Sequence, residues 1–250
     1  MRIGIIGSGN MARALALGWG RHVTCSARTA KSAAALAELV GGTPVDSNAA
    51  VASASDVVFL CHKPAQLEEV AAEIRDQSPV IVSALAAVDI EQLRAAYPQS
   101  KVYRFMPNLP VEIRQGTTGM VDDDAGDPEL FGRVRDLLGQ LGDVVMIDDS
   151  EVDVLTAVSG VGPAYLAVVA EAQIRAAVAE GMTRERASEL VGSTLRGSSA
   201  LLQKRYMDTE QVAAEVASPG GLTEKGLAVL TEPLANLFAQ AMDAVLGRKP

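Results

Sequence analysis

The sequence predicts a two-part α/β chain, an amino-terminal open sheet of mainly parallel strands followed by an all-helical unit. Three observations predict it. Short β-branched runs alternate with Ala-, Leu- and Glu-rich stretches over the first 147 residues, the spacing of repeated βαβ units. A glycine-rich turn follows the first of those runs. From about residue 148 onward the strand pattern stops and only helical periodicity remains.

The expected strands span 2–6, 22–26, 57–62, 80–84, 101–106, 116–121 and 143–147, and the helices between them 12–20, 30–40, 64–75, 90–97 and 129–141. These form a dinucleotide-binding domain over 1–148. The second domain, 149–250, carries helices at 151–158, 164–180, 184–206, 210–217 and 224–246, with Pro233 expected to divide the last. Thr183 reads as an N-cap after the helix-ending Gly181, and Gly160, Gly162 and Pro163 mark another break. Ala167, Ala170, Ala177, Ala187 and Ala200 form small-residue stripes that let helices approach closely, which suits burial against a second subunit.

Composition narrows the function classes. The chain has 250 residues, 48% of them apolar but only 4% aromatic, so its core is built from Ala, Val and Leu. Lys and Arg number 22 against 31 Asp and Glu, a net charge of −9, and no basic run exceeds Arg248-Lys249. A nucleic-acid partner is therefore not expected. Cys25 and Cys61 each stand in an apolar run as buried thiols do, which leaves no disulfide framework and no cysteine metal site. No continuous apolar stretch approaches membrane-spanning length, and the amino terminus runs straight into a strand and turn rather than a signal sequence. A cytoplasmic protein without a membrane partner is expected.

Gly7, Ser8, Gly9, Asn10, Met11 and Ala12 follow a strand and open a helix, the context in which such a turn cradles a dinucleotide diphosphate. Gly7 permits the tight turn, Gly9 lets the diphosphate approach the backbone, and Ala12 lets helix and strand pack. At the end of the second strand, where an acid would select NAD, the sequence has Ser26, Arg28, Thr29 and Lys31. Two hydroxyls and two cations match a 2′-phosphate, so NADPH is expected over a weaker NADH. Cys61, His62, Lys63 and Pro64, with Ala84, Leu85 and Ala86, end two further strands at the carboxyl edge and become cofactor-wall candidates. Asn48 and Asn108 join them through their amides. His62 also invites a catalytic role, although no carboxylate partner is evident.

In the helical part, Ser159 to Tyr165 and Ser218 to Thr223 are small-residue loops leading into helices. Backbone N–H groups of Gly220, Gly221, Leu222 and Thr223, with the hydroxyls of Ser218 and Thr223, could hold a small carboxylate. Taken together, Gly7 to Met11, Lys63-Pro64, Arg104 to Pro110, Ser159 to Tyr165 and Ser218 to Thr223 resemble, in order and spacing, the pyrroline-5-carboxylate reductases. The resemblance covers nearly the whole chain.

It implies an amino-terminal Rossmann domain, a carboxy-terminal helical dimerisation domain, and NAD(P)H-dependent reduction of 1-pyrroline-5-carboxylate to L-proline. It also implies a homodimer, in some members a larger ring of dimers, with Gly220 to Thr223 gripping the substrate carboxylate and Thr223 as the hydroxyl contact near the substrate. The family usually writes Ser at Val161, an apolar residue at His62, Ala-Ala-Gly at Leu85-Ala86-Ala87, and in some members Thr at Val168. On that basis His62 and Leu85 would both face the cofactor, and two alternatives stay open: a paralogue for a different cyclic imine, or a non-catalytic NADP-binding regulator. Dehydrogenases of the β-hydroxyacid type, which place a catalytic lysine on the long helix, fit less well, because 164–180 and 184–203 contain no lysine.

Overall fold

The computed structural model describes residues 1–77 and 79–248. It divides into two compact units, Met1–Pro163 and Ala164–Pro250.

The first unit is an eight-stranded sheet in the order β3-β2-β1-β4-β5-β6-β7-β8. Its strands are β1 (Ile3–Ile6), β2 (Val23–Ser26), β3 (Thr43–Pro44), β4 (Val57–Leu60), β5 (Val80–Ser83), β6 (Val102–Pro107), β7 (Gly116–Val121) and β8 (Gly142–Ile147). The first six run parallel, joined through helices α1 (Asn10–Trp19), α2 (Ala30–Glu38), α3 (Asn48–Ala54), α4 (Leu67–Ile74) and α5 (Ile90–Ala96). Strands β6 and β7 are antiparallel. Only a short segment containing the 3-10 turn Leu109–Ile113 joins them, too little chain for a parallel crossover. Helix α6 (Pro128–Gly139) returns the chain to β8, parallel to β7.

Alternation along the strands builds two cores. Ile3, Ile5, Val57, Phe59, Val82, Tyr103 and Phe105 pack on one face with Leu15 and Trp19 of α1. Ile6, Val58, Leu60, Ile81 and Val102 pack on the other with Val70, Ile74 and Leu93. Burial on both faces is why these strands read as unbroken apolar runs. The expected strands and helices of this unit stand within a few residues of their places. The additions, β3 and α3, are too short for periodicity to reveal: two residues at an edge, and seven residues capped by the Ser47 hydroxyl accepting the Ala50 N–H.

Past β8, a 3-10 turn at Asp149–Glu151, helix α7 (Val152–Leu155) and a π-turn at Thr156–Gly160 lead into α8 (Gly162–Ala179). The second unit continues with α9 (Arg184–Lys204), α10 (Thr209–Val216) and α11 (Leu222–Val245). Thr183 caps α9 through its hydroxyl, as its sequence position suggested. Pro233 does not divide α11. The bond a proline removes would have gone to the Val229 carbonyl, and the helix continues through Pro233 without it. Among the described residues one helical run, Asp149–Ala179, is long and apolar enough by composition to cross a membrane, with an 18-residue window of mean hydropathy 1.6, of which only 11% is buried. Leu166, Val168, Leu222, Leu230, Leu237 and Phe238 are likewise exposed in the single chain. Apolar surface on this scale marks a face for another macromolecular surface.

In the loop after β5, Ala87 adopts the left-handed conformation, φ 57°. A Cβ there costs free energy that glycine avoids. Ala87→Gly is expected to stabilise the chain by about 0.5–1 kcal/mol. A higher urea midpoint supports this and a lower one contradicts it.

Candidate active site at the carboxyl edge

Register fixes the floor of the site. Ile6 pairs with Ser26 and Leu60, and Leu60 with Ser83, so β1, β2, β4 and β5 end at one level. The strand order reverses between β1 and β4, the switch point at which open α/β sheets bind ligands. Ser83 pairs with Arg104, yet β6 continues through Phe105, Met106 and Pro107, paired there only with β7. This ribbon projects about 10 Å beyond the floor at roughly 3.3 Å per residue and forms a wall on that side.

The glycine turn lies at the switch point. Gly7 donates its N–H to the Ser26 carbonyl at 3.0 Å and adopts φ +112°. A Cβ on Gly7 would stand 2.4 Å from the Cys61 carbonyl oxygen, so both conformation and space demand glycine. Gly9 differs: it is the N-cap of α1, without a capping side chain, and a Cβ there would meet no protein atom within 4 Å. That open cradle sits before the first-turn N–H groups of Asn10, Met11 and Ala12, whose partners lie outside the helix. Such a cradle fits a dinucleotide diphosphate. Ala12 is fully buried against the sheet and Met11 partly so, while Ser8 is half-buried in the turn itself.

At the end of β2 the sequence expectation needs revision. Ser26 is buried and donates its hydroxyl to Asn48 Oδ1 at 2.6 Å. The Thr29 hydroxyl donates to Ser32 Oγ and accepts the Ser32 N–H, capping α2. Both hydroxyl protons are thus committed within the chain. What remains for a 2′-phosphate is the exposed pair Arg28 and Lys31, the opening N–H groups of α2, and the Asn48 amide NH2, the Ser26 bond occupying only Oδ1. Asn48 itself is the first residue of α3, not a loop residue.

The β4 and β5 ends present backbone more than side chain. Cys61 buries its thiol, which pushes that group up to about 12, so it is inert. His62 places Nδ1 2.9 Å from the Lys63 carbonyl, which makes Nδ1 the protonated nitrogen, and its Nε2 is buried without a partner. Burial pulls the imidazole below its ordinary range, partly opposed by the Lys63 carbonyl and Glu69. A neutral ring with a hidden second nitrogen is a poor proton donor. Lys63 and Pro64 are exposed at the start of a 3-10 turn, Pro64–Gln66. Leu85 does not face the cofactor edge: it is 2% exposed in the second core, and its N–H bonds to Ser83 Oγ. Ala84 is half-buried and Ala86 exposed. Asn108 is buried at the end of β6 with its amide engaged, Oδ1 on the Thr117 N–H and Nδ2 on Ser159 Oγ.

In the helical unit, Gly221 is the N-cap of α11 and Gly220 adopts φ +72°. Their N–H groups are already used, Gly220 by the Glu224 carboxylate at 2.7 Å and Gly221 by the Ser218 carbonyl at 2.9 Å. The anion-binding capacity expected of 218–223 therefore narrows to the N–H groups of Leu222 and Thr223 and the hydroxyls of Ser218 and Thr223. Sequence reading missed Glu224. An acid three residues past a helix-capping glycine was the available signal. Two surface hollows of the first unit, one beside Arg135 and Asp143 and one beside Tyr97 and Lys101, are lined by none of the candidate cofactor residues.

Comparison with known proteins decides the family. Residues 149–249 match the family described as pyrroline-5-carboxylate reductase dimerisation, and 2–87 match NADP oxidoreductase coenzyme F420-dependent. A pyrroline-5-carboxylate reductase of Corynebacterium melassecola is 30% identical over 98% of this chain and 96% of its own length. The chain belongs to the pyrroline-5-carboxylate reductase family. Another family member, from Aquifex aeolicus, is 31% identical over 93% of this chain and 89% of its own. The crystal structure of 1-pyrroline-5-carboxylate reductase from Streptococcus pyogenes superposes with a TM-score of 0.87 at 28% identity, covering 99% of this chain and 97% of that one. The chain is an oxidoreductase with the fold of this family, and the exposed apolar helices lie within its dimerisation segment.

Proposed function

We propose that the protein reduces 1-pyrroline-5-carboxylate to L-proline with NADPH. The observation that carries this reading is the open cradle at Gly9 on the switch point of a chain that matches a family member over 96% of that member's length. NADPH, when bound, supplies a hydride to the imine carbon. The chain's contribution is placement. Gly7 to Met11 receive the diphosphate, and Arg28, Lys31 and Asn48 the 2′-phosphate and its ribose. The backbone of Cys61 to Pro64 and Ala84 to Ala86 lies against the nicotinamide half. The Leu222 and Thr223 N–H groups and the Thr223 hydroxyl take the substrate carboxylate. An iminium carbon is electrophilic enough that no nucleophile or strong base is required.

The helical unit supports a homodimer, since it leaves an apolar surface exposed within a dimerisation segment, and larger rings would be built from such dimers. A cytoplasmic setting agrees with a biosynthetic role. The test is direct: NADPH oxidation on adding the imino acid, with equimolar proline formed and a lower KM for NADPH than for NADH. Tight NADPH binding with no turnover of any cyclic imine would favour the regulator instead. Thr223→Ala is expected to raise KM for the imino acid about tenfold, the worth of one hydrogen bond to a charged group, with KM for NADPH little changed. Equal damage to both constants argues against the carboxylate role.

A further inference from the structure

We propose that the Asn108–Ser159 hydrogen bond holds the π-turn Thr156–Gly160 in register on the β6–β7 wall, making both residues positioning residues for hydride transfer rather than cofactor ligands. The inference rests on the reductase reading.

Asn108 is 9% exposed and its polar groups all point into the chain. Its N–H bonds to the Thr117 carbonyl at 3.1 Å, Oδ1 accepts the Thr117 N–H at 2.9 Å, and Nδ2 donates to Ser159 Oγ at 3.2 Å. It therefore locks the top of the ribbon and reaches from there to the helical run. That run is fastened at two points. The first is apolar: Met106, Val121 and Val152 form a small core with Leu155, whose side chain fills the space that a Cβ on Gly119 would take. The second is the Ser159 bond, one turn further on.

Between them the chain makes the wide i to i+5 bond of a π-turn, Val161 N–H to the Thr156 carbonyl at 3.0 Å, while the Thr156 hydroxyl donates to the Val152 carbonyl. Such turns are rare and need local support. The apolar point keeps the run attached, and the polar point sets its rotation. Strand β6 lies three strands from β1, about 14 Å at roughly 4.8 Å per strand, on the nicotinamide side of the switch point. A loosened π-turn should therefore disturb alignment at the reacting ring and spare diphosphate binding.

The experiment compares wild type, Ser159→Ala and Ser159→Thr. Ser159→Ala should lower kcat about tenfold or more, since small misplacements near the reacting atoms carry effects of this size, while KM for NADPH stays within about twofold. Ser159→Thr keeps the hydroxyl and should restore most of kcat. Amide hydrogen exchange across 156–162 should quicken in Ser159→Ala and stay slow across 2–10. An unchanged kcat, a parallel loss of kcat and NADPH affinity, or unchanged exchange would overturn the proposal. A wild-type chain that fails to reduce the imino acid would remove the reductase reading itself, and the exchange comparison would still decide whether the bond holds the turn.

Discussion

Gly7→Ala and Gly9→Ala are expected to fail in opposite ways. At Gly7 the new methyl would stand 2.4 Å from the Cys61 carbonyl oxygen and the residue would hold φ +112°, so β1 and β4 must part or the turn must refold. Overpacking and backbone strain of this kind cost about 3 kcal/mol or more together, and NADPH binding would be lost with the fold. At Gly9 the methyl meets no protein atom. Stability should fall by only about 0.5–1 kcal/mol, the modest disadvantage of alanine against glycine at an N-cap. Affinity for NADPH should nonetheless fall about a hundredfold, as a methyl takes the space through which the diphosphate approaches the backbone. Urea unfolding and NADPH fluorescence titration, run on both variants, separate the two effects. A Gly9→Ala protein that binds NADPH normally would show that the cradle holds something else.

Asp149→Ala is the second large effect. Arg104 lies on β6 with a side chain only 5% exposed, and its Nη1 donates to Asp149 Oδ1 at 2.7 Å. Asp149 also accepts from the Ile90 N–H, at 3.4 Å, and opens the 3-10 turn that starts the helical run. Arg104 Nε already has no partner, so removing the carboxylate would leave a buried guanidinium with nothing to neutralise it. The expected loss is about 3 kcal/mol, the lower end for breaking a buried pair. Replacing both residues with apolar ones, Arg104→Met with Asp149→Leu, should recover most of it. If the single variant unfolds at the wild-type urea midpoint, the pair is not what ties β6 to the helical run.

These features were unequally legible in the sequence. The strands of the parallel sheet were visible because burial on both faces leaves continuous β-branched runs, and the glycine turn because it sits between a strand and a helix. The motif Arg104 to Pro110 could be recognised but not understood: a sequence cannot say that Arg104 is paired with a residue 45 positions away, or that Asn108 braces a turn. Hydroxyls were the least readable. Ser26 and Thr29 have the right chemistry for a phosphate, yet Ser26 donates to Asn48, which only the fold brings into reach, and Thr29 to Ser32 in a local helix cap. Leu85 shows the same limit, since its position at a strand end gave no sign that its side chain turns into the core. The Gly220 N–H is committed to the Glu224 carboxylate and the Gly221 N–H to the Ser218 carbonyl, pairings that the glycine motif alone does not announce.

Transfer of label tests the whole account most directly. With NADPH deuterated at the transferable position of its nicotinamide, incubation with 1-pyrroline-5-carboxylate should yield proline carrying one deuterium on the ring carbon beside nitrogen, the former imine carbon. Deuterium should appear in proline in step with NADPH oxidised. Proline without deuterium, or label lost while no proline forms, would contradict hydride delivery from a cofactor seated on the glycine turn.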